Sequence, residues 1–208
     1  SHALALGRLD GIRFAVSVFT NFSQDHLDFH GTMESYLDAK CRLFSMSDSG
    51  AVNLDDPASA QVLRAAKCPM RTFACRAAAD MTADGVVERE ADGVDFTVHT
   101  EGAARRVRFP VPGQFSVYNA MAALSAVLAL GVPLERAAQA LERTPGVPGR
   151  AEVVRVDAPY RVIVDYAHSP DSVEKIVETV ADFTRGRVIS VLGCGGNRDR
   201  GKRPKMAA

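Results

Sequence analysis

The spacing of apolar residues along the chain alternates between strand-like and helix-like periods. Phe14–Thr20 (FAVSVFT) is a short β-branched and aromatic run, the pattern of a buried strand. A polar loop follows, Asn21–Gly31. Thr32 is placed to cap a helix running to about Phe44, with Glu34 in its first turn. Ala51–Leu54 predicts a strand, Pro57–Ala66 a helix and Met70–Ala74 another strand. Between Val86 and Pro110 the apolar positions alternate (Val94, Phe96, Val98, then Val107 and Phe109), which predicts antiparallel strands. Two helices follow: Ser116 to Leu130, stopped by Gly131, and one opening at Pro133 and ending near Arg143.

Thr144–Gly149 (TPGVPG) holds two prolines and two glycines in six residues, which is linker chemistry. Beyond it the pattern restarts as strand, strand, helix, strand: Ala151–Val156, Arg161–Val164, Ser169–Phe183 and a buried strand at Arg187–Leu192. The fold class is α/β, with one unit over residues 1–149 and the start of a second over 150–208. No repeat or low-complexity tract interrupts either. The absence of an initiator Met, and an end at the start of a helix, lead us to expect a piece of a larger protein.

Composition narrows the function. Of 208 residues, 47% are apolar and 24% charged, which excludes disordered and collagenous classes. Basic and acidic residues balance at 25 each, so a nucleic-acid or membrane-surface partner is not expected. No apolar run approaches the roughly 18–20 residues of a membrane span, and no signal peptide is visible. The scattered cysteines (Cys41, Cys68, Cys75, Cys194) read as reduced thiols of a cytoplasmic protein.

Four segments could carry chemistry. Asp25-His26-Leu27-Asp28-Phe29-His30 concentrates metal-competent groups after a strand, where open α/β sheets place ligands, although a solvated polar loop has the same composition. Lys40 has Tyr36, Leu37, Leu43 and Phe44 as helical neighbours, so it lies on the core stripe. Its stem can pack while the ammonium snorkels to water; alternatively, burial lowers its pKa and leaves a nucleophilic amine able to form a carbamate. Asp165-Tyr166-Ala167-His168-Ser169-Pro170 opens a helix at a strand end, with a ligand site and a plain capped turn as the two readings. Gly196–Lys202 fits G-x-x-x-x-G-K, but Arg203 and Pro204 follow where Ser or Thr should hold Mg²⁺, so it is not a phosphate loop. Its basic residues still suit an anion, or form a solvated charge run. Asn119 and Arg150 read on their own as a polar helix-start residue and a linker charge.

Taken in order, SHALALGRLDG, FTNFSQDHLDFHGTMESYLDAK, AVNLDDP, GQFSVYNAMAAL, PGRAEVV, VDYAHSPDS and VLGCGGNRDRGKRPKM resemble the Mur ligase family, most closely its MurE type. The resemblance covers nearly the whole chain. It implies the C-terminal part of a central ATPase-like domain (1–149) followed by the start of a Rossmann-like C-terminal domain (150–208). It implies an ATP- and Mg²⁺-dependent, amide-forming ligase of peptidoglycan synthesis. Such an enzyme adds a third amino acid to UDP-MurNAc-L-Ala-D-Glu through an acyl phosphate. Meso-diaminopimelate is the expected amino acid and L-lysine the alternative. In that alignment Lys40 is the carbamylated lysine and His26 a Mg²⁺-site histidine. Asn119, Arg150, Asp165 and His168 hold nucleotide. Ser1, Arg8 and Asn21 lie on the UDP-MurNAc substrate, and Arg203 grips a carboxylate of the incoming amino acid. The intact enzyme is expected to be a monomer. Members carry GxxxxGK[ST] earlier in the central domain, and the motif does not occur here, so the chain alone is not expected to turn over ATP. Two rivals stay open: a folylpolyglutamate-synthase-like ligase and a non-catalytic nucleotide- or muropeptide-binding module.

Overall fold

A computed structural model of the chain describes residues 1–194 and 201–207. Within it the apolar runs fold as strands β1 (Phe14–Phe19), β2 (Ser47–Asn53), β3 (Met70–Ala74), β4 (Met81–Glu88), β5 (Val94–Thr100) and β6 (Ala103–Phe109). They form one sheet in that order, parallel from β1 to β4 and antiparallel through β5 and β6.

Adjacent residues on a strand face opposite sides of a sheet, and the two sides here are covered by different helices. Phe19 and Val52 pack with Leu37 and Cys41 of α3 (Met33–Cys41) and Val62 of α4 (Ser59–Ala65). Their neighbours Val18 and Ala51 face a larger cluster, filled by Val117, Met121 and Leu124 of α5 (Gln114–Ala129) and Ala137 and Ala138 of α6 (Leu134–Glu142). The first unit is therefore three layers, helix, sheet, helix. Two short helices precede or follow β1: α1 (His2–Ala5) and α2 (Leu27–His30).

β2 begins earlier than its apolar residues suggest, because small polar side chains tolerate its buried start. The Ser47 hydroxyl bonds to that of Ser17 on β1 and donates to the Leu43 carbonyl at 2.8 Å. The first-unit helix ends at Cys41 and passes into a 3₁₀ turn, Arg42–Ser45, instead of continuing as α-helix to Phe44.

After the Thr144–Gly149 segment come an antiparallel pair, β7 (Glu152–Val154) and β8 (Val162–Val164), then α7 (Pro170–Phe183) and α8 (Lys202–Ala207). The start of α7 follows from its sequence. Ser169 and Ser172 cap each other's backbone reciprocally, and Pro170 occupies the first turn, where no intrahelical N–H is needed. The strand expected at Arg187–Leu192 is not formed: the segment is irregular, with Ile189 69% and Val191 97% exposed. A strand needs a partner, and β7 and β8 pair only with each other among the described residues. Residues 195–200, with most of the G-x-x-x-x-G-K stretch, lie outside the described residues. No described helix is long and apolar enough to cross a membrane.

Candidate active site

β1, β2 and β3 run parallel, so their carboxyl ends lie side by side, and the loop leaving β1 carries the first site residues. Its path is set by β2. The Asn53 side-chain amide donates to the Thr20 carbonyl at 2.9 Å, and Asp56 accepts from the Phe22 amide at 2.6 Å. The loop then turns through His26, a non-glycine residue in the left-handed region (φ 56), which starts α2. The ring of His2 lies between those of His26 and His30, with centroids 4.8 and 5.6 Å away. Burial, followed for His30 by the neighbouring His2, holds both pKa values below the ordinary histidine value; for His26 Asp25 opposes that shift. Neutral imidazoles are the form that binds metal.

Lys40 projects from α3 beside this loop. Its ammonium lies 4.9 Å from the Tyr36 ring centroid, and Tyr36 in turn stacks on His30. Burial pulls the Lys40 pKa below its ordinary value, and the charges of Asp25 and Asp56 only partly offset that. The two readings of this lysine therefore meet: the stem is packed, and the amine reaches a cavity instead of open solvent.

That cavity, of about 210 Å³, is closed by the second unit. Asn21, Asp25, Tyr36 and Lys40 line it from one side, and Arg150, Asp165, Tyr166 and His168 from the other. Asp165 spends its carboxylate on the local backbone, accepting from Ala151 N and Ala167 N at 2.7 Å each. This fixes the start of β7 to the end of β8 and sets the guanidinium of Arg150 over the Tyr166 ring, 4.6 Å from its centroid. Asp25 is one place where the two units meet electrostatically. His168 Nε2 and Lys202 Nζ each lie 3.7 Å from its oxygens, and its own neighbour His26 lies at 3.5 Å.

The structure thus brings together Asn21, Lys40, Arg150, Asp165 and His168, with His26 and Ser1 adjoining. Arg8 is exposed on the turn after α1, Asn119 is exposed on α5, and Arg203 sits half-buried on α8; none of the three lines the cavity. Sequence reasoning missed the aromatic walls Tyr36 and Tyr166, and the buried pair Asp55 and Tyr118. Asp55, with its side chain 3% exposed, accepts from Cys75, Arg76 and Ala77 N at the end of β3 and from Tyr118 Oη at 2.8 Å. The one available signal was Asn53-Leu54-Asp55-Asp56 itself, three polar side chains at the end of a buried strand.

Among the described residues, no three His, Cys, Asp or Glu side chains form a ready-made metal cage. Mg²⁺ does not require one: it keeps several waters and takes one or two carboxylates together with substrate phosphates. The Asp25 carboxylate, 3.5 Å from the His26 ring, supplies an oxygen donor beside a nitrogen donor, which suits such an ion. The hydroxyl of Ser1 and Nε2 of His30 are buried without a hydrogen-bond partner among the described residues, donors or acceptors that a ligand would satisfy.

The chain resembles known proteins over nearly its whole length. The family model for the Mur ligase middle domain matches residues 1–127, and that for the Mur ligase glutamate ligase domain matches residues 149–208. UDP-N-acetylmuramoyl-L-alanyl-D-glutamate--2,6-diaminopimelate ligase of Clostridium botulinum is 41% identical over 208 residues, 99% of this chain and 43% of the relative. The chain thus spans less than half the length of the relative it matches. A solved structure of an enzyme with the same name aligns with a TM-score of 0.76 at 34% identity, over 99% of this chain and 43% of that one. Folylpolyglutamate synthase of Mycobacterium tuberculosis aligns over 80% of this chain and 39% of its own, with a TM-score of 0.66 but 22% identity, which is likeness of fold alone.

Proposed function

The chain belongs to the Mur ligase family, and from that premise we propose that the protein carrying it is an ATP-dependent ligase of cytoplasmic peptidoglycan synthesis. It joins meso-diaminopimelate to the D-glutamate carboxylate of UDP-MurNAc-L-Ala-D-Glu, acting as a monomer. The observation that carries this reading is the cavity between the two units, where Lys40 and Asp25 face Arg150 and His168.

Two displacements make up the reaction. A carboxylate oxygen of the dipeptide attacks the γ-phosphorus of ATP and ADP leaves. The amine of the amino acid then attacks the acyl carbon, phosphate leaves, and the nitrogen gives up a proton. We divide the chain at 149/150, so that each unit supplies one side of this event. The second unit holds the nucleotide through Arg150, Asp165 and His168, while Asn119 reaches it from α5. A guanidinium stacked on Tyr166 is preorganised for this task, since it gives up little freedom on binding. The first unit presents the muropeptide through Ser1, Arg8 and Asn21, and the buried free hydroxyl of Ser1 favours that role.

Lys40, as a carbamate, and His26 would hold Mg²⁺, with the Asp25 carboxylate close by. The ion would neutralise charge on the phosphates and the attacking carboxylate. The half-buried amine of Lys40 supports carbamylation, because only a neutral amine adds carbon dioxide and burial favours that form. Arg203 takes a carboxylate of the incoming amino acid, a task suited to a planar fork of donors.

The test of this assignment is a kinetic split. In the full-length protein, Arg203→Ala is expected to raise KM for meso-diaminopimelate by about tenfold or more, the cost of one charge-assisted contact, with KM for ATP within about twofold of wild type. Equal changes in both constants would move Arg203 out of the amino-acid site. Substitution of L-lysine for diaminopimelate in the same assay identifies the substrate.

A further inference from the structure

The turn that ends β2 touches no part of the cavity, yet it determines where much of the proposed machinery sits. Asn53, Asp55 and Asp56 are all polar, and Asn53 and Asp56 are only 6% and 8% exposed. Buried polar groups are retained where they are satisfied, and these three draw on groups from four places in the fold. Asn53 donates to the Thr20 carbonyl at 2.9 Å, and its own oxygen accepts from Asp55 N at 3.0 Å. Asp56 holds Phe22 N at 2.6 Å and Ala58 N at 2.8 Å, tying the β1 loop to the approach of α4. Asp55 gathers three successive amides at the end of β3 and the hydroxyl of Tyr118 on α5. Thr20 and Phe22 flank Asn21, and the Phe22 ring packs 5.0 Å from Tyr36, which lies under the Lys40 ammonium. Tyr118 immediately precedes Asn119.

We propose that Asn53, Asp55 and Asp56 are the positioning residues of this site. Through backbone bonds they fix the loop carrying Asn21 and Asp25, and through Tyr118 they fix the stretch of α5 carrying Asn119. The two carboxylates serve different substrates. Asp56 governs the Asn21–Asp25 loop and the Tyr36–Lys40 wall, where the chemical step takes place. Asp55 acts through Tyr118 on the nucleotide contact. The proposal rests on the ligase reading for the roles of the residues positioned, but not for the positioning itself.

The experiment therefore has two arms, both on the full-length protein: amide hydrogen exchange and steady-state kinetics of phosphate release. The variants are Asp56→Asn, Asp56→Ala and Tyr118→Phe. Val62→Ala serves as a control, because Val62 packs in the apolar cluster on the same face of the sheet and its side chain makes no hydrogen bond. Exchange of the Asn21–Asp25 amides in Asp56→Ala is expected to quicken by about tenfold or more, while the β1 amides Val16–Phe19 keep their wild-type protection. Kcat falls by about tenfold or more, as for any loss of reactive alignment, and Asp56→Asn recovers part of it by keeping one acceptor oxygen. Tyr118→Phe raises KM for ATP several-fold and leaves kcat near wild type. Val62→Ala lowers the Tm without either kinetic change. Kinetic losses that follow Tm alike in all four variants, or unchanged loop exchange in Asp56→Ala, would overturn the proposal. If wild-type protein released no phosphate with any amino acid, the ligase reading would fail, and the exchange arm alone would then decide the positioning.

Discussion

Asp55 illustrates how a carboxylate is kept almost wholly out of water. Burial alone would raise its pKa, but the hydrogen bonds from Cys75 N, Tyr118 Oη, Ala77 N and Arg76 N more than offset that and hold it below the ordinary aspartate value. The sign of the linkage follows. The folded protein refuses the proton at pH values where the unfolded chain accepts it. The stabilisation is therefore complete above the ordinary aspartate pKa and is lost as pH falls through the depressed folded value. Asp55→Asn presents an NH₂ to donors already in place, so it should cost about 1–3 kcal/mol at pH 7. The gap between variant and wild type should narrow as pH drops below about 4. Urea midpoints across that range check this, and a gap constant with pH would contradict it. The pairing of Asp55 with Tyr118 could not be read from the chain, since 63 positions separate the two and no local period links them. The packing of the Lys40 stem was legible because its apolar neighbours lie within four positions either way, in α3 and the 3₁₀ turn that continues it.

Among the elements, those defined by local chemistry were legible and those defined by a distant partner were not. The β-branched run of β1, the reciprocal caps of Ser169 and Ser172, and the alternation through β5 and β6 each carry their own signal. Arg187–Leu192 has the composition of a buried strand, but composition does not supply the neighbour that would bury it. Gly113 makes the opposite case, a single position whose residue type is dictated by another element. It begins α5 at φ 94, and a Cβ there would lie 2.8 Å from Thr179 Oγ1 on α7. Gly113→Ala combines backbone strain with a clash across the two units, a cost of about 1–3 kcal/mol. The expected outcome is faster proteolytic cleavage within Thr144–Gly149, as α7 is pushed off the first unit. Unchanged cleavage would mean that α7 does not depend on this contact.

At the scale of the whole molecule, near-zero net charge conceals a local complementarity. Asp25 of the first unit faces His168 and Lys202 of the second, and Glu90 meets Arg161 at 2.8 Å. The Glu90–Arg161 pair is exposed and worth little in stability, whereas Asp25 and Lys202 are largely buried. The Asp25 pairs lie beside the cavity that Arg150 and His168 line together with Lys40, and residues of both units are needed to enclose it. The central claim is that this cavity is where an amide bond is made. The measurement that tests it is phosphate release by the full-length protein with ATP, Mg²⁺, UDP-MurNAc-L-Ala-D-Glu and meso-diaminopimelate. Wild type and Lys40→Ala are compared at equal folded concentration, with and without added bicarbonate. The account predicts release that depends on the amino acid in wild type. It predicts a fall of about a hundredfold or more in Lys40→Ala, the loss of several kcal/mol of charge stabilisation, which bicarbonate does not restore. Normal turnover by Lys40→Ala would contradict it.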